Sequence, residues 1–202
     1  MTDPIYPKAF RLVVGLGNPG REYAQTRHNI GFVWLDEWAH QLSLSFSNQP
    51  RFDSDMTTYK DSVFMKPQTF MNLSGVAVCR WARFKRIEPE QILVIHDELD
   101  LPFATLRIKF GGGSAGHNGI KNIINEIGAK FWRLRVGIGR PIIAQQPIAD
   151  FVLGRFSHQE STEICQKALY FFDHYWTDIQ NGHLERTISS LHKECKSPPA
   201  TD

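Results

Sequence analysis

A chain of 202 residues, of which 42% are hydrophobic and 22% charged, has the composition of a soluble globular protein with one domain or two small ones. Its formal net charge of +2 does not by itself indicate a nucleic-acid partner. The three cysteines form no CxxC pair, which favours reduced thiols over a zinc site or a disulfide framework. The sequence contains neither a secretory signal nor an apolar run of ~20 residues, so we expect a cytosolic protein without a membrane span.

The first half of the chain alternates strand-like and helix-like patterns. The expected elements are a buried strand at Phe10–Leu16, a helix from about Asn29 to Leu42, two strands between Asp53 and Met65 with a turn near Lys60–Asp61, and a helix at Val76–Phe84. Ser74 is the expected N-cap of the second helix, and Pro89 lies beyond its end.

The second half continues this alternation. The expected elements are strands at Ile92–Ile95, Thr105–Phe110 and Leu134–Ile138, a helix at Ile120–Ile127, and one or two helices from about Ser161 to Leu191. Such alternation predicts an α/β domain with a largely parallel or mixed sheet. We assign residues 9–195 to this domain and expect flexible termini at residues 1–8 and 196–202.

Unusual polar clusters follow several of the predicted strands. They are Asn18–Asn29, His96–Asp100 and Gly111–Asn118, with Met71–Asn72 between the hairpin and the second helix. Ligands of open α/β sheets bind beyond the carboxyl ends of the strands. We therefore expect these clusters to meet in one site.

The segment Gly15 to Gly20 reads GLGNPG, a literal GxGxxG after a strand, which is the pattern of dinucleotide-binding turns. Pro19, however, stands where a helix should be opening, and helical periodicity resumes only near Asn29. A glycine loop that shapes a site for another ligand fits the sequence better. A nucleotide-cofactor enzyme is therefore the least favoured of the hypotheses.

His28 is the first candidate for a catalytic side chain. An imidazole can take a proton from water near neutral pH and return it, although a lone histidine is more often structural. Asp97 could orient a histidine by accepting a hydrogen bond from its far ring nitrogen, and Glu98 and Asp100 are nearby alternatives. A turn or capping role for Asp97 also stays open. The sequence has no GxSxG elbow and no HExxH motif, which favours a metal-free hydrolase that uses water.

A glycine-rich stretch, Gly111–Gly119, leads into the third predicted helix. It could be a mobile connector, or a nest of backbone N–H groups that binds an anion or a carbonyl oxygen. Residues 101–140 around it hold seven basic residues and one acidic residue, a local charge of +6. A basic stripe beside a glycine loop is typical of phosphate-backbone contact, although a solvated face has the same pattern.

Seven stretches of the chain occur in an order and spacing that point to one family. They are Val14–Tyr23, Thr26–Asn29, Thr69–Gly75, His96–Pro102, Gly111–Gly119, Arg133–Gly139 and Phe151–Gly154. Together they resemble the bacterial-type peptidyl-tRNA hydrolase family from about Arg11 to His192. The resemblance implies a monomeric α/β domain with a twisted mixed β-sheet surrounded by helices.

The resemblance also implies an activity. The enzyme would hydrolyse the ester between the C-terminal carboxyl of a peptide and the 3′ ribose of tRNA, without a metal or another cofactor, and so recycle tRNA from prematurely released peptidyl-tRNA. His28 would be the base that activates water, and Asp97 would orient it. Asn18 would position the histidine or the substrate.

Further residues are implied by matching position. Those expected to bind the peptide, bind the tRNA end or line the cleft are Tyr23, Met71, Asn72, His117 and Asn118. Lys109 and Arg135 would hold the 5′-terminal phosphate of tRNA, in agreement with the basic segment. Ser114 departs from the family pattern, which often has a histidine near this position, and the connector Gly128–Lys130 is short.

One other hypothesis shares the same scaffold. Some relatives in plant organelles serve intron splicing together with a protein partner, so a non-catalytic RNA-binding protein is the alternative. An assay of ester cleavage separates the two.

Overall fold

The computed structural model describes residues 6–142 and 145–194. The third cysteine, Cys195, and most of the two segments expected to be flexible termini, residues 1–5 and 196–202, lie outside the described residues.

Seven strands form one mixed sheet in the described part of the chain. They are β1 (Leu12–Gly15), β2 (Ser47–Gln49), β3 (Ser54–Tyr59), β4 (Ser62–Pro67), β5 (Ile92–Glu98), β6 (Leu106–Phe110) and β7 (Trp132–Gly137). The order across the sheet is β2-β3-β4-β1-β5-β7-β6. The central strands β4, β1, β5 and β7 are parallel, whereas β2, β3 and β6 pair antiparallel with their neighbours. The predicted α/β class with a mixed sheet is confirmed.

Helices cover both faces of this sheet. They are α1 (Ile30–Gln41), α2 (Ser74–Lys85), α3 (Asn118–Ile127), α4 (Ile148–Leu153), α5 (His158–Phe171), α6 (Thr177–Gln180) and α7 (Leu184–Glu194). A π-helical segment, Phe172–Trp176, joins α5 to α6, so the expected one or two C-terminal helices form a series of shorter ones. Among the described residues, no helix is both long enough and apolar enough to span a membrane.

The core has two parts, one on each face of the sheet. In β1, Val13 packs on the face covered by α1, α5 and α7, whereas Leu12 and Val14 pack on the face covered by α2 and α3. Alternate residues of a strand point to opposite faces, so a central strand covered on both sides consists of apolar residues throughout. This explains why β1 has the continuous apolar run seen in the sequence.

Two glycines bring the start of α1 against the end of β1. A Cβ atom on Gly15 would lie 2.2 Å from the carbonyl oxygen of Gly31, and one on Gly31 would lie 2.2 Å from the backbone nitrogen of Leu16. The first glycine of the GxGxxG pattern therefore serves helix–strand packing. A 3₁₀ turn at Arg27–Asn29 precedes α1, and this turn places His28 at the end of the sheet.

The sequence-based assignment of Ser74 as an N-cap is wrong. Ser74 is the first residue of α2, Leu73 occupies the N-cap position, and the Ser74 hydroxyl donates to the carbonyl of Met71. The reason is the 3₁₀ turn at Met71–Leu73, which runs directly into the helix and satisfies the serine hydroxyl locally.

β5 is longer than its apolar run suggests. It extends beyond Ile95 because His96 and Asp97 pair with Arg135 and Val136 of β7. Asp97 thus belongs to a buried central strand and is not in a loop.

The glycine-rich stretch begins at the end of the strands opposite to the end where the other polar clusters lie. Because β6 is antiparallel to β7, Phe110 pairs with Trp132, and the backbone N–H of Gly111 donates to Phe131. Asp97, by contrast, pairs with Val136 near the carboxyl end of β7. The expectation that the whole stretch Gly111–Asn118 lies with the other clusters is wrong. The loop runs back along β7, and its second half, residues 114–118, lines the cleft with them.

Candidate active site

A cleft of about 710 Å³ opens at the carboxyl ends of β1 and β5. The residues predicted for the site that line it are Asn18, His28, Met71, Asn72, Asp97, His117 and Asn118. Tyr23, Lys109 and Arg135 are not among its lining residues.

His28 and Asp97 form the expected pair. Nδ1 of His28 lies 2.9 Å from Oδ1 of Asp97, and the side chains are 12% and 3% exposed. An ionised carboxylate only accepts hydrogen bonds, so Nδ1 of His28 carries the proton. The lone pair of the neutral ring is then on Nε2, which makes no hydrogen bond with any described residue. Because His28 lines the cleft, this nitrogen is available to a ligand or to water.

His117 binds the same carboxylate oxygen from the other side. Its Nε2 lies 3.0 Å from Oδ1 of Asp97, and its ring centroid is 4.8 Å from that of His28. Its Nδ1 accepts hydrogen bonds from the backbone N–H groups of Gly119 and Ile120, which makes His117 the N-cap of α3. A nitrogen that accepts two N–H groups has no proton in this arrangement, so Nε2 is the donor to Asp97. His117 is therefore held in a fixed orientation beside the pair.

The charge of Asp97 is stabilised by these neighbours. Burial alone would raise the pKa of Asp97, but His117 and His28 outweigh it and hold this pKa well below its ordinary value. Of the alternatives named from the sequence, Glu98 pairs with Arg135 and Asp100 with Arg140. Asp97 is thus the carboxylate that contacts His28.

A third histidine lies behind the pair. His96 is 3% exposed, its ring meets that of His117 edge to face at 5.0 Å, and its Nδ1 lies 2.7 Å from the carbonyl oxygen of Asp97. Its Nε2 is buried without a hydrogen-bond partner among the described residues. Burial, reinforced by His117, lowers the pKa of His96 well below its ordinary value. His96 is therefore a neutral, buried support for the strand end.

Asn18 fastens two walls of the cleft to each other. Its side-chain oxygen accepts the backbone N–H of Met71 at 2.7 Å, which leaves its amide nitrogen as the free polar atom. Its backbone is held by Asn29, whose side chain accepts from the N–H of Asn18 at 2.9 Å and donates to its carbonyl at 2.8 Å. Asn29 was not predicted from the sequence, although it stands beside His28 in the same motif.

Three further predicted residues complete the rim. Met71 is buried, and its sulfur lies 2.5 Å from where a Cβ atom on Gly119 would be, so the glycine allows α3 to pack against this wall. Asn72 and Asn118 are exposed at the cleft and form no side-chain hydrogen bond with the described residues. Both amides are therefore free to bind a ligand.

Arg133 holds the glycine-rich loop in place. Its two terminal nitrogens each lie 2.6 Å from a loop carbonyl, those of Gly112 and Gly113, and its guanidinium lies over Phe131. Burial, followed by the charge of Arg135, lowers the pKa of Arg133 to about 10. The hypothesis of a freely mobile connector does not fit these contacts.

The predicted phosphate ligands lie on one face of the outer strands. In the β6–β7 register Lys109 is opposite Arg133 and Arg107 is opposite Arg135, so the four cations share a face. Lys109 is exposed, whereas Nε of Arg135 donates to Glu98 at 2.8 Å. Their role in binding phosphate stays a prediction.

Tyr23 lies in the loop between β1 and α1, where its carbonyl accepts from the backbone and the hydroxyl of Thr26. The structure thus places Tyr23 in the framework of the loop that carries His28 and Asn29. Its predicted contact with substrate stays a prediction.

Arg27 connects the His28 segment to α4, a helix that was not predicted from the sequence. α4 contributes Ile148, Val152 and Leu153 to the cleft. The guanidinium of Arg27 lies over the ring of Phe151 at 4.6 Å, donates to the carbonyl of Arg155 at 2.9 Å and pairs with Glu160 at 3.1 Å. The short, mixed pattern of α4 gave little signal of a helix.

His28, Asp97 and His117 each offer an atom within 4.8 Å of the others, a grouping that could hold a metal ion. The atoms concerned already form hydrogen bonds, in which two ring N–H groups meet one carboxylate oxygen. A metal ion would require both nitrogens to be deprotonated. The arrangement therefore fits a site of proton transfer better than a metal centre.

Comparison with known proteins identifies the family. The sequence profile of the peptidyl-tRNA hydrolases matches residues 12–198. The chain belongs to the peptidyl-tRNA hydrolase family. It is 42% identical over 187 residues to the peptidyl-tRNA hydrolase of Nitrosomonas europaea, covering 90% of this chain and 95% of that protein. It is 46% identical over 156 residues to that of Wolinella succinogenes, covering 77% and 80% of the two chains.

A solved structure agrees with this assignment. The crystal structure of peptidyl-tRNA hydrolase from Acinetobacter baumannii at 1.00 Å resolution superposes with a TM-score of 0.79 at 34% identity, covering 96% of this chain and 98% of that one. The fold of the peptidyl-tRNA hydrolase family therefore extends over nearly the whole chain.

Proposed function

We propose that this protein hydrolyses the ester that joins the C-terminal carboxyl of a peptide to the 3′ ribose of tRNA. The observation that carries the proposal is the His28–Asp97 hydrogen bond of 2.9 Å, which leaves Nε2 of His28 as an unpaired base in the cleft. Membership of the peptidyl-tRNA hydrolase family supports the same substrate.

In the reaction, His28 takes one proton from water and later gives it to the leaving group. Nε2 of His28 takes a proton from a water molecule, whose oxygen attacks the ester carbonyl and forms a tetrahedral intermediate. When the intermediate collapses, the bond to the 3′ oxygen of the ribose breaks and that oxygen receives the proton from His28. The products are a free peptide acid and tRNA. Asp97 stabilises the imidazolium that exists between the two steps.

The developing oxyanion needs hydrogen-bond donors. The backbone N–H groups of Gly119 and Ile120 at the start of α3 already bind Nδ1 of His117. The side-chain amides are therefore the better donors. Asn18 is the strongest candidate, because its oxygen is occupied by Met71 and only its nitrogen is free.

Substrate selection follows from the exposed amides of the rim. We assign Asn72 and Asn118 to the peptide backbone and the tRNA end, Tyr23, Met71 and His117 to the cleft wall, and Lys109 and Arg135 to the 5′ phosphate. An aminoacyl-tRNA without a peptide bond would cover such amides without pairing them, and a site whose covered polar groups lose their hydrogen bonds rejects that analogue.

The decisive experiment compares two substrates. N-acetyl-aminoacyl-tRNA should be cleaved, and aminoacyl-tRNA with a free amine should be cleaved far more slowly. If neither is cleaved at any enzyme concentration while tRNA is still bound, the protein is an RNA-binding relative without this activity. We further infer that it acts as a monomer in the cytosol, where peptidyl-tRNA arises; sedimentation of the purified protein tests the first point and fractionation the second.

A further inference from the structure

The C-terminal half of α2 carries a concentration of positive charge that the catalytic site does not use. Residues 80–86 read RWARFKR, with four basic residues and no acidic one, in a chain whose net charge is only +2. Arg83, Phe84, Lys85 and Arg86 are all exposed. Together with the exposed Arg51, these residues form what we call the α2 basic surface.

The last carbonyls of α2 and one of its four cations already have partners within the protein. The C-terminal carbonyls of α2 already accept from Arg11, whose guanidinium donates to Lys85 at 3.3 Å and to Arg86 at 3.2 Å. Arg80 pairs with Asp53. Arg83, Lys85 and Arg86 form no ion pair with any residue that the structure describes. Their charge is therefore unneutralised.

Arg86 occupies a position that suits a different residue. It is the C-cap of α2 with φ of +51°, in the left-handed region where glycine or asparagine is usual. A long side chain is disfavoured in this conformation, and a cation beside a helix C-terminus adds only a small stabilisation through the helix dipole. The presence of Arg86 here is therefore consistent with a function of its positive charge in binding.

Aromatic rings lie between the cations. Phe84 is 50% exposed, and the guanidinium of Arg51 lies 4.8 Å from its ring centroid. Nζ of Lys85 lies 5.2 Å from the ring of Trp81 and 5.5 Å from that of Phe84. Cations held over aromatic faces keep their charge at the surface, where it can meet RNA phosphates.

We propose that the α2 basic surface is a second RNA contact, which binds the body of the substrate tRNA away from its 3′ end. The inference rests on the proposed function. α2 begins directly after Met71 and Asn72 in the cleft wall, and its 12 residues span about 18 Å, so the surface lies a few nucleotides' length from the cleft. A tRNA held by its 3′ end can reach both.

The test measures binding of two RNAs by fluorescence anisotropy at several salt concentrations. One is whole deacylated tRNA, and the other is a short single strand with the sequence of the tRNA 3′ end. The variant combines Arg83→Ala, Lys85→Ala and Arg86→Gly. The control combines Arg186→Ala and Lys193→Ala, which remove exposed charges from α7 on the other face of the sheet.

The first variant should bind whole tRNA about tenfold more weakly, with a salt slope reduced by about 2 to 3, since each phosphate contact contributes ~0.9. Its affinity for the short strand should equal that of the wild type. The α7 control should equal the wild type in its affinity for both RNAs and in its salt slope. Arg86→Gly alone should weaken tRNA binding while the melting temperature stays equal or rises, because glycine relieves the left-handed position.

Equal affinity of variant and wild type for whole tRNA would overturn the inference, and so would equal losses for both RNAs. The proposed function is tested separately. It would be overturned if the wild type did not cleave N-acetyl-aminoacyl-tRNA, a result that does not depend on the α2 basic surface.

Discussion

His28 and His117 share one acceptor: their Nδ1 and Nε2 atoms lie 2.9 Å and 3.0 Å from the same oxygen of Asp97. The second ring is fixed by the start of α3, so it keeps the carboxylate in place while the first ring exchanges its proton. The carboxylate that orients the base is thereby held from both sides.

Asp97→Asn and His28→Ala should each lower kcat for N-acetyl-aminoacyl-tRNA by ~10²–10⁴-fold, because one removes the orienting charge and the other the base. tRNA affinity should change little, since neither side chain is assigned to the RNA. The double variant should be scarcely slower than either single one, because the two residues act as a unit. Near wild-type turnover of His28→Ala would assign the base elsewhere.

The buried His96 should make folding stability depend on pH in mildly acidic solution. Its pKa in the folded protein is lowered by burial and by His117. The unfolded chain therefore binds a proton below about pH 6.5 that the folded chain does not, and stability falls as pH decreases, by at most ~1.4 kcal/mol per pH unit. His96→Asn, which can still donate to the Asp97 carbonyl, should flatten this dependence between pH 6.5 and 5.

Denaturant titrations of the two proteins at each pH measure this difference. Asp97 does not interfere in this range. Its lowered pKa stabilises the folded protein above about pH 4, and this stabilisation is lost only below that pH. Parallel stability curves for wild type and His96→Asn would show that His96 is not the group responsible.

Arg27→Met should loosen α4 from the cleft. The change keeps an apolar chain between the rings of Phe151 and Phe156 but removes the donors to Arg155 and Glu160. We expect a severalfold higher KM, with a smaller effect on kcat, and faster hydrogen exchange in residues 148–156. Glu160→Gln, which keeps the guanidinium in place, is the matched control and should be milder. Unaltered exchange in Arg27→Met would mean that α4 is held by other contacts.

Gly31→Ala should destabilise the fold by about 3 kcal/mol or more, at the upper end of overpacking, because the new methyl group would meet backbone atoms of Leu16 and Ile95 within 2.2–2.5 Å. Gly113→Ala is the control, since a Cβ atom there has no heavy atom within 4 Å. Thermal unfolding of both variants should show a large fall in melting temperature for Gly31→Ala and a small change for Gly113→Ala. Similar melting temperatures would contradict the close packing of α1 on β1.

Lys109→Ala should weaken tRNA binding and reduce its salt slope by about 0.9, as for one lost phosphate contact. Arg135→Ala should do the same but also lower stability, because it leaves the 8% exposed carboxylate of Glu98 unpaired. Adding Glu98→Gln to the second variant should restore stability without restoring affinity. A salt slope equal to that of the wild type in both variants would exclude the phosphate clamp.

Elements whose signal is local could be predicted from the sequence. The helix after Asn29 and the hairpin turn at Lys60–Asp61 follow from periodicity and turn chemistry, and both are present. The cleft residues His28, Asp97 and Asn18 were identified through motifs in order, and the structure brings them together.

Features that depend on partners distant in sequence could not be predicted. The direction of β6 relative to β7 decides where Gly111 lies, and no local pattern encodes that direction. The extension of β5 to Glu98 likewise depends on pairing with β7. Asn29 and Arg27 act through contacts with Asn18 and Glu160, which a linear reading separates.

The loop that runs back along β7 limits which insertions and deletions the gene can accept. Seven residues, Gly111 to His117, must carry the chain from the level of Trp132 to that of Val136, about 13 Å along the strand at ~3.3 Å per residue. Arg133 binds backbone carbonyls and no side chain of this loop, so the type of residue at Ser114 matters little to its path. Gly111, Gly112 and Gly116, by contrast, have φ of +64°, +93° and +85°, in the region that favours glycine. Losing two residues would leave five, which span about 17 Å when fully extended, so almost no length would remain for the turns at the two ends of the loop. Across related genes, this segment should therefore keep its length and these three glycines, while the residue at position 114 varies.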